Sequence, residues 1–315
     1  MAKVLVTEQI HPAGVELLKK AGHEVVLGNI TKANDEENLT RLFEDVDAAL
    51  VRICEITEKV VDNAKNIKIV SKHGVGIDNF DVEALKKKGI ALTITPGANS
   101  LAVAEHAFAM LIALSKNLPE ISNNYRKMGL AARNGALGYT ITGKTIGILG
   151  YGRIGKYIGE MAMNGFGMNV IVYDPFIPRT DDRVKYVDDV NELLKESDFV
   201  TLHLGLTDDT RHMISDAEFD IMKDNAILIN CARGPIIDEE ALIRALQAGK
   251  IHGAGLDVTE EEPCNPESPL FKMDNVILTP HYAPKTNECE ALVASTAAEN
   301  IIHFLSGEEV VGRIV

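Results

Sequence analysis

Three reactive side chains follow three apolar segments in the second half of the sequence. Arg233 lies in Asn230-Cys231-Ala232-Arg233-Gly234, right after the apolar residues 226–230. The segment 253–257 ends in Asp257 and leads into Thr259-Glu260-Glu261-Glu262-Pro263. His281 closes Thr279-Pro280-His281 after residues 275–278. Taken singly, each has an ordinary explanation: a surface ion pair, a solvated acidic loop, a satisfied loop histidine. Three strand ends of one parallel sheet are a different matter, because such sheets bind ligands beyond the carboxyl ends of their strands. An arginine, an acid and a histidine placed there can converge on one bound molecule, as a carboxylate grip and a proton carrier.

The element that must position such a molecule is Gly150-Tyr151-Gly152-Arg153-Ile154-Gly155. Residues 144–149 before it read as a buried strand. Residues 156–165 after it have helical spacing of Tyr157, Ile158 and Met161, and 169–173 read as a second strand ending at Asp174. Strand, glycine turn, helix, strand and terminal acid are the order of a dinucleotide-binding βαβ unit. The first glycine permits the tight turn, the second lets the backbone approach a pyrophosphate, and the third lets helix and strand pack closely. The helix amide dipoles then face the phosphates. Asp174, nineteen residues past Gly155, can accept from both ribose hydroxyls and would repel a 2′-phosphate, so NAD rather than NADP is expected.

The rest of the chain supplies two such sheets. Residues 4–6, 24–27, 48–51, 67–70 and 91–94 read as strands, alternating with helical segments 14–20, 35–43, 60–64 and 82–88. A second series begins after Gly143 and continues through 199–202, 226–230, 253–257 and 275–278. That alternation predicts parallel sheets with flanking helices. Between the series, Pro96-Gly97 breaks the pattern, Ser100 is a candidate N-cap for a helix over 101–118, and Pro119 is expected to end or kink it. A last helix starts near Asn287. The expected fold class is α/β, two doubly wound parallel-sheet domains, with a Rossmann NAD-binding domain (100–285) inserted into a flavodoxin-like substrate domain (1–99 and 286–315). The active cleft is expected between them.

Bulk properties narrow the class. A net charge of −14 with no compensating basic block argues against a nucleic-acid partner. Lys86-Lys87-Lys88 reads as a solvated helix end ahead of Gly89. The N-terminus runs into a strand with no signal-peptide core, and the longest apolar run, 107–114, is too short to span a bilayer. Cys54, Cys231, Cys264 and Cys289 show neither CxxC spacing nor a metal pattern, so free thiols in a reducing cytoplasm are expected, with no membrane partner and no metal.

The sequence resembles the D-isomer-specific 2-hydroxyacid dehydrogenase family, in its phosphoglycerate dehydrogenase and hydroxypyruvate reductase-like branch. The resemblance covers nearly the whole chain. It rests on Lys72-His73-Gly74-Val75-Gly76-Ile77-Asp78-Asn79, Asn99-Ser100-Leu101-Ala102-Val103-Ala104-Glu105-His106, the glycine fingerprint, and the segments around Arg233, Glu262 and His281. It implies a catalytic triad of Arg233, Glu262 and His281, with Glu262 singled out because Pro263 follows it. Arg233 would grip the substrate carboxylate and polarise its 2-oxo group, His281 would carry the proton, and Glu262 would orient the ring and favour imidazolium. On the cofactor side the resemblance implies amides of Arg153 and Ile154 at the pyrophosphate, Asp257 at the nicotinamide carboxamide, and His203, Thr207 and Cys231 nearby. On the substrate side it implies Arg52, Lys72 and the amides of Val75 and Gly76.

Two departures stand out. Gly205 occupies a position where the family usually has proline, and Tyr282-Ala283-Pro284-Lys285 replaces a glycine-rich continuation. The substrate implied is a small 2-hydroxy or 2-oxo acid of the hydroxypyruvate, glyoxylate or 3-phosphoglycerate type. Lys72 allows an anionic tail, whereas Glu55 would repel phosphate, and from the end at Val315 no regulatory domain is expected. The same fold also serves NAD(H)-sensing co-repressors, and formate or phosphite dehydrogenases are further alternatives. A homodimer is expected, by resemblance, through the helix beginning at Leu101.

Overall fold

A computed structural model describes residues 1–315. Twelve strands form two wholly parallel sheets. The first contains β1 (Lys3–Val6), β2 (Glu24–Leu27), β3 (Ala48–Val51), β4 (Ile69–Lys72) and β5 (Ala91–Thr93), in the order β2-β1-β3-β4-β5. The second contains β6 (Thr145–Leu149), β7 (Asn169–Tyr173), β8 (Lys185–Tyr186), β9 (Phe199–Leu202), β10 (Ile227–Asn230), β11 (Gly253–Leu256) and β12 (Val276–Leu278), in the order β12-β11-β10-β9-β6-β7-β8. Both orders are doubly wound: 2-1-3-4-5 in the flavodoxin manner, and a Rossmann order with one added strand. Each sheet therefore has a point where the winding reverses, between β1 and β3 in one and between β6 and β9 in the other.

The strands form as they do because both faces of each sheet are covered. β3, β4, β9, β10 and β11 are buried at every residue, and parallel strands in that position are predominantly apolar; Ser71, Lys72, Thr201 and Asn230 are the polar residues among them. Two compact units result, Met1–Asn99 with Lys285–Val315 and Ser100–Pro284. In the first, Leu5, Phe43, Ile56, Val70, Leu85 and Leu92 fill one side of the sheet. The helix Asn287–Ser306 covers the other with Ala294, Ala297, Ala298 and Ile301, so the chain's last segment completes the first unit's core.

Several expected boundaries move. The strand expected at 67–70 is Ile69–Lys72, because it pairs Ile69 with Ala48 and Lys72 with Val51. Lys72 is therefore a buried strand residue, 8% exposed. The helix expected over 101–118 runs Ser100–Ser115, with Ser100 inside it rather than capping it. Asn117 turns left-handed (φ 50°), and a new helix, Leu118–Met128, starts with Pro119 in its first turn. Proline starts that helix rather than ending the previous one, since first-turn amides have no intrahelical partner to lose. The helix Ser100–Ser115 lies within the second unit's core, with Ala104, Phe108, Leu111 and Leu114 buried. In the next helix and the segment after it, Leu118, Tyr125, Met128, Leu130 and Leu137 are exposed, whereas Ser100–Ser115 exposes Leu101 at its start. No single helix is long and apolar enough to cross a membrane.

Candidate active site

The glycine turn sits at the reversal point of the second sheet. Gly150 follows β6 with φ +92°, and a Cβ there would stand 2.6 Å from the carbonyl oxygen of His203, the residue that follows β9. Only glycine lets the two strand ends approach this closely. A Cβ on Gly155 would meet the Gly150 carbonyl oxygen at 2.2 Å, so the third glycine sets how near the helix comes to the turn. At Gly152 a Cβ would meet nothing within 4 Å, which leaves the backbone open to a bound group. The helix begins at Arg153, three residues earlier than its apolar spacing suggests, and runs to Glu160. Its first-turn amides, those of Arg153 and Ile154 among them, lack intrahelical partners and point out of the N-terminus.

Asp174 is the first residue after β7. Its Oδ2 accepts from the Tyr151 amide at 2.8 Å and its Oδ1 from the Phe176 amide at 3.0 Å. The carboxylate is thereby fixed beside the turn, and each oxygen keeps a lone pair for a hydroxyl donor. Turn, helix N-terminus and acid together fit a dinucleotide. His203 lies against them. Its Nε2 is 2.7 Å from the Thr201 hydroxyl, its Nδ1 is buried without a partner, and burial pushes its pKa down to about 3, so it is neutral. Thr207 lies in a turn where the Thr210 hydroxyl ties down the Gly205 carbonyl at 2.8 Å and accepts from the Thr207 amide at 2.8 Å. Burial raises the Cys231 thiol pKa, keeping it protonated.

Arg233, Glu262 and His281 follow β10, β11 and β12, which are neighbours in the sheet. Buried Asn230 shapes the first of these loops. Its Nδ2 donates to the Arg233 carbonyl at 2.9 Å, and its Oδ1 accepts from the Ala232 amide at 3.0 Å. The Arg233 Nη1 donates to the Ala232 carbonyl at 2.8 Å.

Asp257, 2% exposed, organises the third loop. Its carbonyl accepts from the His281 amide at 2.8 Å. Its Oδ1 accepts from the Thr279 hydroxyl at 2.5 Å and the Tyr282 amide at 2.6 Å, and its Oδ2 from the Ala283 amide at 2.8 Å. His106 Nε2 adds a contact to the Thr279 hydroxyl at 3.1 Å. These bonds hold His281 at φ +51°, a left-handed conformation that costs a non-glycine residue about 1–2 kcal/mol. Two of the amides that Asp257 holds are those of Tyr282 and Ala283, backbone donors that any residue but proline has.

His281 Nδ1 lies 2.9 Å from Glu262 Oε2. This hydrogen bond raises the pKa of His281 above the ordinary histidine value; burial and the Arg233 cation act against it. With Nδ1 committed, Nε2 is the nitrogen that can pass a proton. Glu260 is engaged elsewhere, with His212 Nε2 at 2.6 Å from its Oε1.

The positions expected on the substrate side lie on the first unit, again at strand ends. Arg52 follows β3; its Nη1 is 3.3 Å from the Gln9 carbonyl and its Nη2 3.9 Å from Glu290 Oε1. Val75 and Gly76 follow β4, after Gly74 at φ +131°. Lys72 does not project its ammonium outward as an anionic-tail ligand would. Nζ donates to the Arg52 carbonyl and, at 3.1 Å, to Asn79 Oδ1. Sequence reasoning gave no role to Glu8, His106 or Thr279. His106 and Thr279 lay inside quoted motifs, but nothing in their spacing joins residues 173 positions apart.

Comparison with known proteins decides the family. The model of the D-isomer specific 2-hydroxyacid dehydrogenase, NAD binding domain, matches residues 108–283, more than half of the chain. The chain belongs to this family. It is 41% identical to a D-3-phosphoglycerate dehydrogenase of Methanocaldococcus jannaschii over 98% of its own length, and spans 58% of that protein. It is also 41% identical to a glyoxylate reductase of Thermococcus litoralis, covering 97% of this chain and 94% of that one. Among solved structures, the TT0316 protein of Thermus thermophilus superposes with a TM-score of 0.92 at 32% identity, over 99% of this chain and 100% of that one.

Proposed function

We propose that this family member reduces a small 2-oxo acid at C2 to the D-2-hydroxy acid, and runs the reverse oxidation, with NAD(H). The observation that carries this reading is the His281–Glu262 pair at 2.9 Å, which joins the loops after β12 and β11, beside the loop after β10 that bears Arg233, in the sheet that bears the dinucleotide turn. Bound NADH supplies the hydride that C2 receives. Arg233 offers a forked cation to the substrate's carboxylate and 2-oxo oxygen. His281 Nε2 delivers the proton to that oxygen as it becomes a hydroxyl, and takes it back in oxidation. Glu262 fixes the ring through Nδ1 and keeps imidazolium populated. Asp257 holds the loop that carries His281, and we assign it, with Cys231, His203 and Thr207, to the nicotinamide side. Arg52 and the amides of Val75 and Gly76 are assigned to the anionic substrate.

Within the substrate class, an unphosphorylated acid such as hydroxypyruvate or glyoxylate is favoured over a phosphorylated one. The commitment of Lys72 to the Arg52 carbonyl and Asn79, and the negative charge of Glu55 three residues after Arg52 in the sequence, support that choice. The test is oxidation of NADH and NADPH with hydroxypyruvate, glyoxylate, pyruvate and phosphohydroxypyruvate. Turnover with at least one unphosphorylated acid is expected, with NADH favoured over NADPH by about tenfold or more, since a 2′-phosphate meets the Asp174 charge. Tight NADH binding without turnover of any acid would return the NAD(H)-sensing alternative, which draws no support from relatives named as a dehydrogenase and a reductase. NAD reduction by formate or phosphite would reveal the remaining alternatives. We further propose a homodimer built on the exposed Leu118, Tyr125, Met128, Leu130 and Leu137, to be read from the mass in solution.

The Glu262–His281 bond has a pH signature. Glu262 raises the pKa of His281, so imidazolium persists to higher pH than in a free histidine. In Glu262→Gln the pKa falls, and the pH profile of kcat/KM for 2-oxo acid reduction should lose its activity at lower pH than in the wild type. A profile with an unmoved alkaline limb would separate Glu262 from the proton step.

A further inference from the structure

The winding of the first sheet reverses between β1 and β3, the kind of crevice where doubly wound sheets bind ligands. β1 runs into Thr7-Glu8 and β3 into Arg52-Ile53-Cys54. Glu8 is 6% exposed, and its carboxylate accepts from three successive amides: Arg52 at 2.9 Å, Ile53 at 2.6 Å and Cys54 at 2.7 Å. The Thr7 hydroxyl donates to it as well. Amides converging on one point form a nest for an anion; here the anion is the chain's own. Burial works to raise the Glu8 pKa, but the hydrogen bonds from Thr7, Arg52, Cys54 and Ile53 outweigh it and hold it below the usual carboxylate value.

The carbonyl side of the same loop is tied too. Lys72 Nζ donates to the Arg52 carbonyl, and Asn79 Nδ2 to the Cys54 carbonyl at 2.6 Å. Asn79 and Lys72 are themselves bonded at 3.1 Å. Three side chains from different segments thus fix the backbone of a three-residue loop. What the loop can still present is its side chains, Arg52 first among them.

We propose that Glu8 is a positioning residue for substrate binding: by filling the amide nest after β3, it fixes the backbone from which Arg52 reaches the anionic substrate. The inference rests on the reading of Arg52 as a substrate residue. A neutral glutamine can accept through one oxygen only and turns donors towards amides that are themselves donors. The loop then loosens, and small displacements of a binding group cost substantial affinity.

The test is a double-mutant cycle of Glu8→Gln and Arg52→Ala, with hydroxypyruvate and glyoxylate as substrates. Glu8→Gln should raise KM for the 2-oxo acid about tenfold while kcat stays within about twofold and NADH affinity is unchanged. In the Arg52→Ala background it should add little further, because it acts through Arg52. Hydrogen exchange of the Arg52, Ile53 and Cys54 amides should accelerate in Glu8→Gln. If Arg52→Ala itself leaves KM unchanged, the reading of Arg52 fails. If Arg52→Ala raises KM and Glu8→Gln does not, or the two effects add, the inference about Glu8 is overturned. Should Glu8→Gln not fold, Glu8→Asp retains the charge one methylene short; wild-type KM and exchange in that variant would equally overturn it.

Discussion

His281→Asn lowers kcat for reduction of the preferred 2-oxo acid by about 10³-fold, within the 10²–10⁴ that a positioned general acid supplies. NADH affinity, measured by fluorescence titration, stays within about twofold. Asparagine is the informative replacement because the backbone at this position is left-handed, with φ +51°. Asparagine enters that region more readily than most residues, so the loop held by Asp257 need not rearrange. Its side chain keeps a donor but titrates no proton. Loss of turnover therefore reports proton delivery rather than a collapsed loop. The dinucleotide turn belongs to β6 and its helix; Gly150 packs against the His203 carbonyl, and Asp174 bonds to the Tyr151 and Phe176 amides. Wild-type turnover in His281→Asn would remove the histidine from the reaction. Parallel loss of NADH binding would instead make it a structural part of the cofactor site.

The strands were legible because a parallel sheet covered on both faces leaves little freedom in its sequence: β3 is wholly apolar, and β9 and β10 are apolar but for Thr201 and Asn230. The glycine turn was legible for a related reason, since Gly150 and Gly155 stand where any side chain would strike backbone oxygens. Short helices such as Val190–Glu196, Asp216–Ile221 and Glu239–Gln247 were not. The first two span two turns or fewer with little apolar periodicity and are held by capping side chains and packing; Glu239–Gln247 does carry an apolar stripe, Ala241, Leu242, Ala245 and Leu246, too short to stand out beside the strands. The choice among Glu260, Glu261 and Glu262 was a matter of resemblance alone. In space it has a physical basis, because Glu260 is drawn to His212 while Glu262 meets His281. Least legible were the groups that hold the loops. Glu8 bonds amides 44 to 46 positions away, and no local pattern marks such a partner. The displaced ends of β4 had the same origin: pairing with β3, not apolarity, sets where Lys72 lies and where its ammonium points.

Arg233→Ala should lower kcat/KM for the 2-oxo acid by about 10³-fold or more, the scale of removing one partner from a desolvated, hydrogen-bonded charge pair. Arg233→Lys should recover only part of this, because an ammonium is a point charge and lacks the fork that engages two oxygens in one plane. The loop itself should survive. Asn230 grips the Arg233 carbonyl and the Ala232 amide, neither of which the substitution removes. NADH affinity should accordingly change little. A second readout separates substrate binding from general disruption. The Arg233 cation lowers the pKa of His281, whereas the Glu262 hydrogen bond raises it. Removing Arg233 should therefore move the alkaline limb of the reduction profile to higher pH, opposite in sign to Glu262→Gln. Shifts in the same direction, or a loss confined to kcat with substrate binding intact, would refute the assignment of Arg233 as the carboxylate grip beside the proton donor.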